Sequence, residues 1–79
     1  MKYVYILQSL TDHEHFYTGI TDNVEARLST HNSGAVVHTA KYRPWRVKTY
    51  VAFTDAVRAA AFEKYLKSGS GRAFAKARL

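Results

Sequence analysis

The sequence predicts an α+β domain whose elements follow the order β-β-α-β-α-α. Residues 2–9 and 45–53 alternate with the period of a strand, and a third apolar segment, residues 16–20, follows the first after a polar connector. Residues 23–31 and 55–67 instead place apolar side chains at helical spacing behind capping residues. This pattern predicts a small sheet with helices packed against it.

Length and composition indicate one domain covering residues 1–79. A hydrophobic content of 47% favours a folded chain over a disordered one. The chain has no cysteine, which excludes a disulfide framework, a thiolate metal site and a cysteine nucleophile. No apolar run approaches the roughly 18 residues of a membrane helix, so we expect no membrane partner and a cytoplasmic location.

Charge is the clearest indication of a partner. Twelve Lys and Arg against six Asp and Glu give a net charge of +6. Phosphates release counterions when they meet such a surface, so the composition favours nucleic acid. The alternative is that the charge serves only solubility.

The first predicted strand is apolar on both sides, which is typical of a strand covered on two faces. Tyr3, Tyr5 and Leu7 share one face, and Val4 and Ile6 share the other. The second strand would close a hairpin with the first through a loop of about five residues. Gly19 in that strand would allow a bend or a close approach of the backbone.

The first helix should start at Asn23, because Asp22 and Glu25 have the spacing of a capping box. It should end at Asn32-Ser33-Gly34. One face of this helix carries Val24, Leu28 and His31.

The second half of the chain starts with a loop-like stretch, residues 35–44. In the third strand, Trp45 to Phe53, the odd-numbered residues should share one side. Thr54 or Asp55 should cap a helix running to about Lys67. Ser68-Gly69-Ser70-Gly71 should break it, with a last short helix over residues 72–79.

Glu63 is the only acidic residue in the middle of a predicted helix. It flanks an apolar stripe of Ala59, Phe62 and Leu66. A carboxylate in that position either pairs with Lys67 one turn later or faces a cleft as a metal ligand. Phosphodiester cleavage could use such a carboxylate to hold one metal ion.

Arg27 and His31 lie one turn apart on the first helix, so their side chains share a flank. A guanidinium offers fixed bidentate donors to a phosphate, and an imidazole can accept a proton near neutral pH. The alternatives are a solvated arginine and a structural histidine. Tyr5 and Tyr17 could join them as proton acceptors. A phenol acts as a base near neutral pH only when a neighbouring cation or metal lowers its pKa, and Arg27 or a bound metal could do so. Otherwise both are core aromatics with the hydroxyl at the rim.

In order and spacing these elements resemble the GIY-YIG nucleases over nearly the whole chain. Tyr3-Val4-Tyr5 corresponds to the first signature tripeptide, with tyrosine in place of glycine, and Tyr17-Thr18-Gly19 corresponds to the second. The family's arginine then falls on Arg27, its proton-handling position on His31 and its metal-binding glutamate on Glu63. The chain looks like the small stand-alone bacterial members, which are related to the catalytic domain of an excision-repair nuclease and to homing endonucleases.

The resemblance implies a three-stranded antiparallel sheet flanked by helices, a divalent metal, usually Mg²⁺, and hydrolytic cleavage of DNA. The site would comprise Tyr5, Tyr17, Arg27, His31 and Glu63, with Glu63 as the metal ligand. An amide-bearing residue that larger members place after the glutamate is missing. Its role is unfilled or falls to Ser68 or Ser70.

From these residues and the resemblance we expect a metal-dependent DNA endonuclease that acts in DNA repair or recombination. Lys41, Arg43, Lys67 and Arg72 would contact the DNA backbone with little sequence specificity. One alternative is a nucleic-acid-binding module that keeps the fold but does not cleave. Another alternative is a protein-interaction domain within a repair complex, but that role would not explain the net charge of +6.

Overall fold

A computed structural model describes all residues, 1–79. Three strands and four helices follow one another as β1 (Lys2–Ser9), β2 (Phe16–Thr21), α1 (Val24–Asn32), α2 (Val37–Ala40), β3 (Trp45–Phe53), α3 (Ala56–Leu66) and α4 (Gly69–Arg78). The order β-β-α-β-α-α is confirmed, with one short helix, α2, added before β3.

The strands form one antiparallel sheet in the order β2-β1-β3. The predicted hairpin joins β1 and β2, and β3 pairs along the other edge of β1. At the middle of β1, Tyr5 faces Gly19 on one side and Tyr50 on the other. The central strand is therefore held by ladders on both edges.

Both faces of β1 are buried, as its sequence predicted. Val4 and Ile6 pack with Ala59 and Leu66 under α3 and α4. On the opposite face Tyr5 and Leu7 pack with Trp45, together with apolar residues of α1. The sheet thus separates two small cores that share one strand.

The prediction that the odd-numbered residues of β3 share one side is wrong. Thr49 pairs with Ile6 but Val47 pairs with Leu7, so Lys48 forms a bulge. An extra residue in one strand reverses the side on which each following side chain lies. Trp45 consequently packs with Tyr5 and Leu7, whereas Phe53 packs with the cluster around Val4.

The cap of α1 also differs from the prediction. The side chain of Asn23 accepts the Ala26 amide, and α1 begins one residue later than expected. Asp22 instead pairs with Lys2 at 3.0 Å across the sheet edge. Asparagine caps a helix as well as aspartate does, and the Asp22 carboxylate is engaged in the ion pair with Lys2.

Residues 35–44 are not simply a loop, because α2 forms within them. Thr39 is 1% exposed, and the indole of Trp45 donates to its carbonyl at 2.9 Å. Asn32 further ties α1 to the start of β3 through both the amide and the carbonyl of Trp45. A helix of four residues is too short to show a hydrophobic period, so the local sequence gives no sign of it.

Asp55 caps α3, one of the two predicted choices. The predicted start of the last helix at Arg72 is wrong, because α4 begins at Gly69, capped by the Ser68 hydroxyl. A Cβ on Gly71 would overlap the Tyr65 carbonyl oxygen, so this glycine lets α4 turn back closely on α3. None of the helices has the length and apolar character needed to cross a membrane.

Candidate active site

Tyr5 lies at the centre of the candidate site and is 1% exposed. Its neighbour across the ladder, Gly19, leaves the space that its phenol fills. A Cβ at position 19 would lie 2.5 Å from the Tyr5 hydroxyl, well inside van der Waals contact. The glycine predicted to permit a close approach therefore makes room for a side chain from the neighbouring strand.

His31 is fully buried against Tyr5. Its Nε2 lies 3.1 Å from the Tyr5 hydroxyl, and its Nδ1 lies 2.8 Å from Oγ1 of Thr39. The Tyr17 ring lies 4.7 Å from the imidazole, centroid to centroid. Three of the five predicted site residues thus meet on one face of the sheet.

Arg27 reaches the same cluster from one turn earlier in α1. Its guanidinium interacts with the Tyr5 hydroxyl, which raises the pKa of Arg27. The guanidinium belongs to none of the three ion pairs in the structure, and its Nε is buried without a hydrogen-bond partner. Buried donors are rarely left unpaired, so Arg27 has spare capacity to bind an anion.

Burial sets the protonation states of Tyr5 and His31. It raises the pKa of Tyr5, an effect that the nearby guanidinium of Arg27 opposes and that Tyr17 adds to. Burial also lowers the pKa of His31, and the positive charge of Arg27 lowers it further. At neutral pH the protein therefore holds a protonated phenol beside a neutral imidazole.

Glu63 projects from α3, and its negative charge contributes to the raised pKa of Tyr5. Of the two interpretations left open by the sequence, the structure forms the ion pair. Lys67 Nζ lies 2.7 Å from the carboxylate and has a raised pKa because of that contact. The Glu63 side chain is 20% exposed, so the pair lies at the rim of the site.

The available carboxylates limit how a metal ion could be held. No group of three His, Asp or Glu side chains lies close enough to hold an ion. Mg²⁺ commonly keeps most of its waters and binds through one or two carboxylates plus substrate phosphates. A single carboxylate such as Glu63 would suffice for binding of that kind, but in this structure it is paired with Lys67.

The four predicted DNA-contacting residues lie in two places. Lys67 and Arg72 line a groove of about 570 Å³ between the hairpin and α4, beside Tyr17. Lys41 and Arg43 lie beyond α2, where Lys41 sits 5.1 Å from the Tyr42 ring centroid and Arg43 packs against Gly34. The first pair adjoins the candidate site directly.

Sequence reasoning missed two residues. Lys48 lines the same groove, where its ammonium lies 5.9 Å from the Phe16 ring centroid, and the bulge in β3 determines its place. Thr39 contacts His31 only because α2 folds against α1. No local pattern marks either of them. Ser68, in contrast, is committed to capping α4 and donates to the Tyr65 carbonyl.

Comparison with known proteins gives the family. The model described as the GIY-YIG catalytic domain matches residues 1–76. The chain belongs to the GIY-YIG family. The matched range contains Tyr3-Val4-Tyr5, Tyr17-Thr18-Gly19, Arg27, His31 and Glu63.

Two curated relatives are similar to this GIY-YIG domain. The structure-specific endonuclease subunit SLX1 of Chaetomium globosum is 42% identical over 66 residues, which are 76% of this chain and 20% of that protein. A UPF0213 protein of Lacticaseibacillus paracasei is 42% identical over 53 residues, 66% of this chain and 60% of that protein. The chain thus spans a fifth of the first relative and less than two thirds of the second.

Proposed function

We propose that this GIY-YIG domain is a metal-dependent DNA endonuclease that hydrolyses phosphodiester bonds. One observation carries the proposal: Arg27, with a buried and unpaired Nε, lies against a buried Tyr5–His31 hydrogen bond. A cation free to bind phosphate is thereby placed next to groups that can hold a proton. The membership of a catalytic-domain family supports the same interpretation.

Each residue has a role that its chemistry suits. The guanidinium of Arg27 would stabilise the charge that develops on the phosphate during attack. Tyr5, Tyr17 and His31 would form the hydrogen-bonded group that positions or activates the attacking water. Because burial keeps Tyr5 protonated and His31 neutral, the pair enters the reaction with both a donor and an acceptor.

Glu63 would hold the divalent metal, and we propose Mg²⁺. The ion would supply positive charge at the scissile phosphate and at the leaving oxygen. For this to happen the carboxylate must exchange Lys67 for the ion. Lys67 would then be free to contact a neighbouring phosphate of the same DNA.

Lys48, Lys67 and Arg72 would contact the DNA backbone from the groove beside Tyr17. Lys41 and Arg43 would add contacts beyond α2. With four to six phosphates neutralised, log K should fall with log salt at a slope of about −4 to −5 on duplex DNA. Little sequence preference is expected, because one small domain reads few base edges.

The printed name of the Chaetomium globosum relative describes a structure-specific endonuclease subunit. By extension we propose branched or otherwise non-duplex DNA as the substrate and DNA repair or recombination as the setting. The rival function is binding without cleavage. The observation that favours it is the Glu63–Lys67 ion pair, which occupies the carboxylate in the DNA-free protein.

The test compares wild type, Glu63→Gln and Glu25→Gln on supercoiled plasmid and on branched DNA, with Mg²⁺ and with a chelator. Glu25 is exposed in the first turn of α1 and serves as a matched control. We expect wild type and Glu25→Gln to cleave only with the metal. Glu63→Gln should not cleave but should bind DNA equally well or more tightly, since it removes a negative charge near phosphate.

Two outcomes would contradict the proposal. If Glu63→Gln cleaves as well as wild type, the site is assigned wrongly. If wild type binds DNA with the expected salt dependence but cleaves none of these substrates, the binding module is the better description. A flat response to salt would remove nucleic acid as the partner.

A further inference from the structure

His31 makes two side-chain hydrogen bonds, and one of them is with Thr39, which is not among the five residues assigned to the site. Nε2 faces Tyr5 and Nδ1 faces Thr39, at 3.1 and 2.8 Å. His31 and Thr39 are 0% and 1% exposed, so no solvent reaches either nitrogen from the bulk. The protonation of the ring is therefore decided by these two hydroxyl groups.

The Thr39 hydroxyl has one proton and two possible hydrogen-bond neighbours. Oγ1 lies 3.3 Å from the Val36 carbonyl, which can only accept. Giving the proton to Val36 leaves Oγ1 as an acceptor toward His31, so Nδ1 must carry the hydrogen. The Val36 carbonyl also accepts the amides of Thr39 and Ala40, so the Tyr5 side of the ring adds the second constraint. Arg27 beside Tyr5 can only donate, so Nε2 of His31 is the acceptor for the Tyr5 hydroxyl proton, which again leaves the hydrogen on Nδ1.

We propose that Thr39 is a positioning residue that fixes His31 in the tautomer protonated at Nδ1. Nε2 is then unprotonated and accepts the hydroxyl proton of Tyr5. The lone pairs of the Tyr5 oxygen are consequently directed away from His31, toward Arg27 and the approaching substrate. In this arrangement the phenol oxygen can accept a proton from water while its own hydroxyl proton passes to Nε2 of His31, which leaves a hydroxide and an imidazolium. In the other tautomer Nε2 already carries a hydrogen and cannot take that proton.

The backbone around Thr39 holds the hydroxyl in place. Thr39 lies in α2, its amide donates to Val36, and its carbonyl accepts the Trp45 indole at 2.9 Å. Trp45 is itself buried in the core that contains Tyr5. The hydroxyl is thus fixed by contacts that do not involve the imidazole, as a residue that imposes a tautomer requires.

The role in catalysis rests on the proposed endonuclease function, whereas the tautomer does not. The direct measurement is a long-range ¹H–¹⁵N correlation spectrum of the histidine rings at neutral pH, because protonated and unprotonated ring nitrogens have distinct ¹⁵N shifts. The chain has four histidines, and the His31→Gln variant identifies the signals of His31 by their loss. Cleavage is assayed on the same samples.

Three variants separate position from fold. Thr39→Val keeps the shape and removes the hydroxyl, whereas Thr39→Ser keeps the hydroxyl. Thr30→Val is the matched control, since the Thr30 hydroxyl bonds only the Ala26 carbonyl within α1. We expect Nδ1–H in wild type, Thr39→Ser and Thr30→Val, and its loss in Thr39→Val. Cleavage should fall about 10- to 100-fold in Thr39→Val and recover in Thr39→Ser.

A wild-type His31 protonated at Nε2 would overturn the proposal, even if Thr39→Val does not fold. An unchanged tautomer in folded Thr39→Val would also overturn it. A shifted tautomer with unchanged cleavage would overturn the positioning role. If wild type cleaves no DNA, the proposed endonuclease function fails, and the spectrum still decides the tautomer.

Discussion

The two faces of the sheet share one strand and differ in almost every other respect. Under α3 and α4, Val4 and Ile6 bury only apolar surface against Ala59 and Leu66. Under α1, Tyr5 is hydrogen-bonded to His31, which is bonded to Thr39. Because side chains alternate along a strand, β1 places apolar side chains on one face and the hydrogen-bonded Tyr5 on the other.

The comparison shows where this small domain can accept change. Apolar contacts tolerate other hydrophobic side chains of similar volume, because they have no direction. Buried hydrogen bonds do not, since removing one partner leaves the other unsatisfied. The face that carries Tyr5 and His31 is therefore also the face with the stricter side-chain requirements.

The largest expected effect is the loss of cleavage rate in Arg27→Ala, on the face that carries Tyr5 and His31. Arg27→Ala removes a donor to developing charge, which typically costs about 10²–10³ in rate, or roughly 3–4 kcal/mol of barrier. Arg27 makes no ion pair that the fold would lose. We expect a nearly unchanged melting temperature. Single-turnover cleavage and thermal unfolding of the same sample test both parts.

Leu66→Ala should instead lower the stability of the fold and leave the rate of cleavage unchanged. Leu66 is 3% exposed on the apolar face, and such truncations typically cost about 2–5 kcal/mol of stability. Because Leu66 also lines the groove beside Tyr17, the folded fraction is compared at saturating DNA, where it should cleave at the wild-type rate. A large loss of stability in Arg27→Ala with activity retained would make Arg27 structural and reverse the contrast between the faces.

Gly19→Ala should have an intermediate effect, because its methyl group would overlap the Tyr5 hydroxyl. Overpacking of this kind typically costs about 1–3 kcal/mol and should also displace Tyr5 from His31. Gly69→Ala is the matched control, since nothing lies within 4 Å of a Cβ there. Gly19→Ala should lower both the stability in urea and the cleavage rate. Gly69→Ala should keep the wild-type cleavage rate and be equally stable or up to about 1 kcal/mol more stable, because alanine replaces glycine at the start of α4. Equal behaviour of the two variants would show that Gly19 does not make room for Tyr5.

The smallest expected effect is on the pH dependence of stability. Burial lowers the pKa of His31 below its ordinary 6.5, so between the two values the unfolded chain binds more protons. The free energy of unfolding should therefore fall as the pH drops below about 6.5. His31→Gln should lose less stability than wild type between about pH 7.5 and about pH 5.5. Parallel curves for the two proteins would argue against a buried neutral imidazole.

The sequence predicted the fold class, the two faces of β1 and the convergence of Arg27 with His31 on one flank. These follow from local periods that the chain repeats over several residues. It did not predict the bulge at Lys48 or the helix at Val37–Ala40. The bulge depends on pairing with β1, which is far away along the chain, and the four-residue helix is too short to show a hydrophobic period.

The site shows the same division. The resemblance named five residues, and the structure brings Tyr5, Tyr17, Arg27 and His31 together while pairing Glu63 with Lys67. Thr39 could not be found from the sequence, because a threonine in a polar stretch has no period or motif. Its contact arises only when α2 packs against α1. The roles of all these residues stay predictions until cleavage is measured.

The most direct test of the central claim is the single-turnover cleavage rate of Tyr5→Phe against wild type. The substitution removes one oxygen and keeps the ring that fills the space over Gly19. Tyr3→Phe, on the same strand and face and packed edge-on against Tyr50, is the matched control. Loss of a group that handles a proton typically costs about 10²–10⁴ in rate, so Tyr5→Phe should be at least about 100-fold slower while Tyr3→Phe matches wild type. A folded Tyr5→Phe that cleaves at the wild-type rate would contradict the claim that this face of the sheet carries the chemistry.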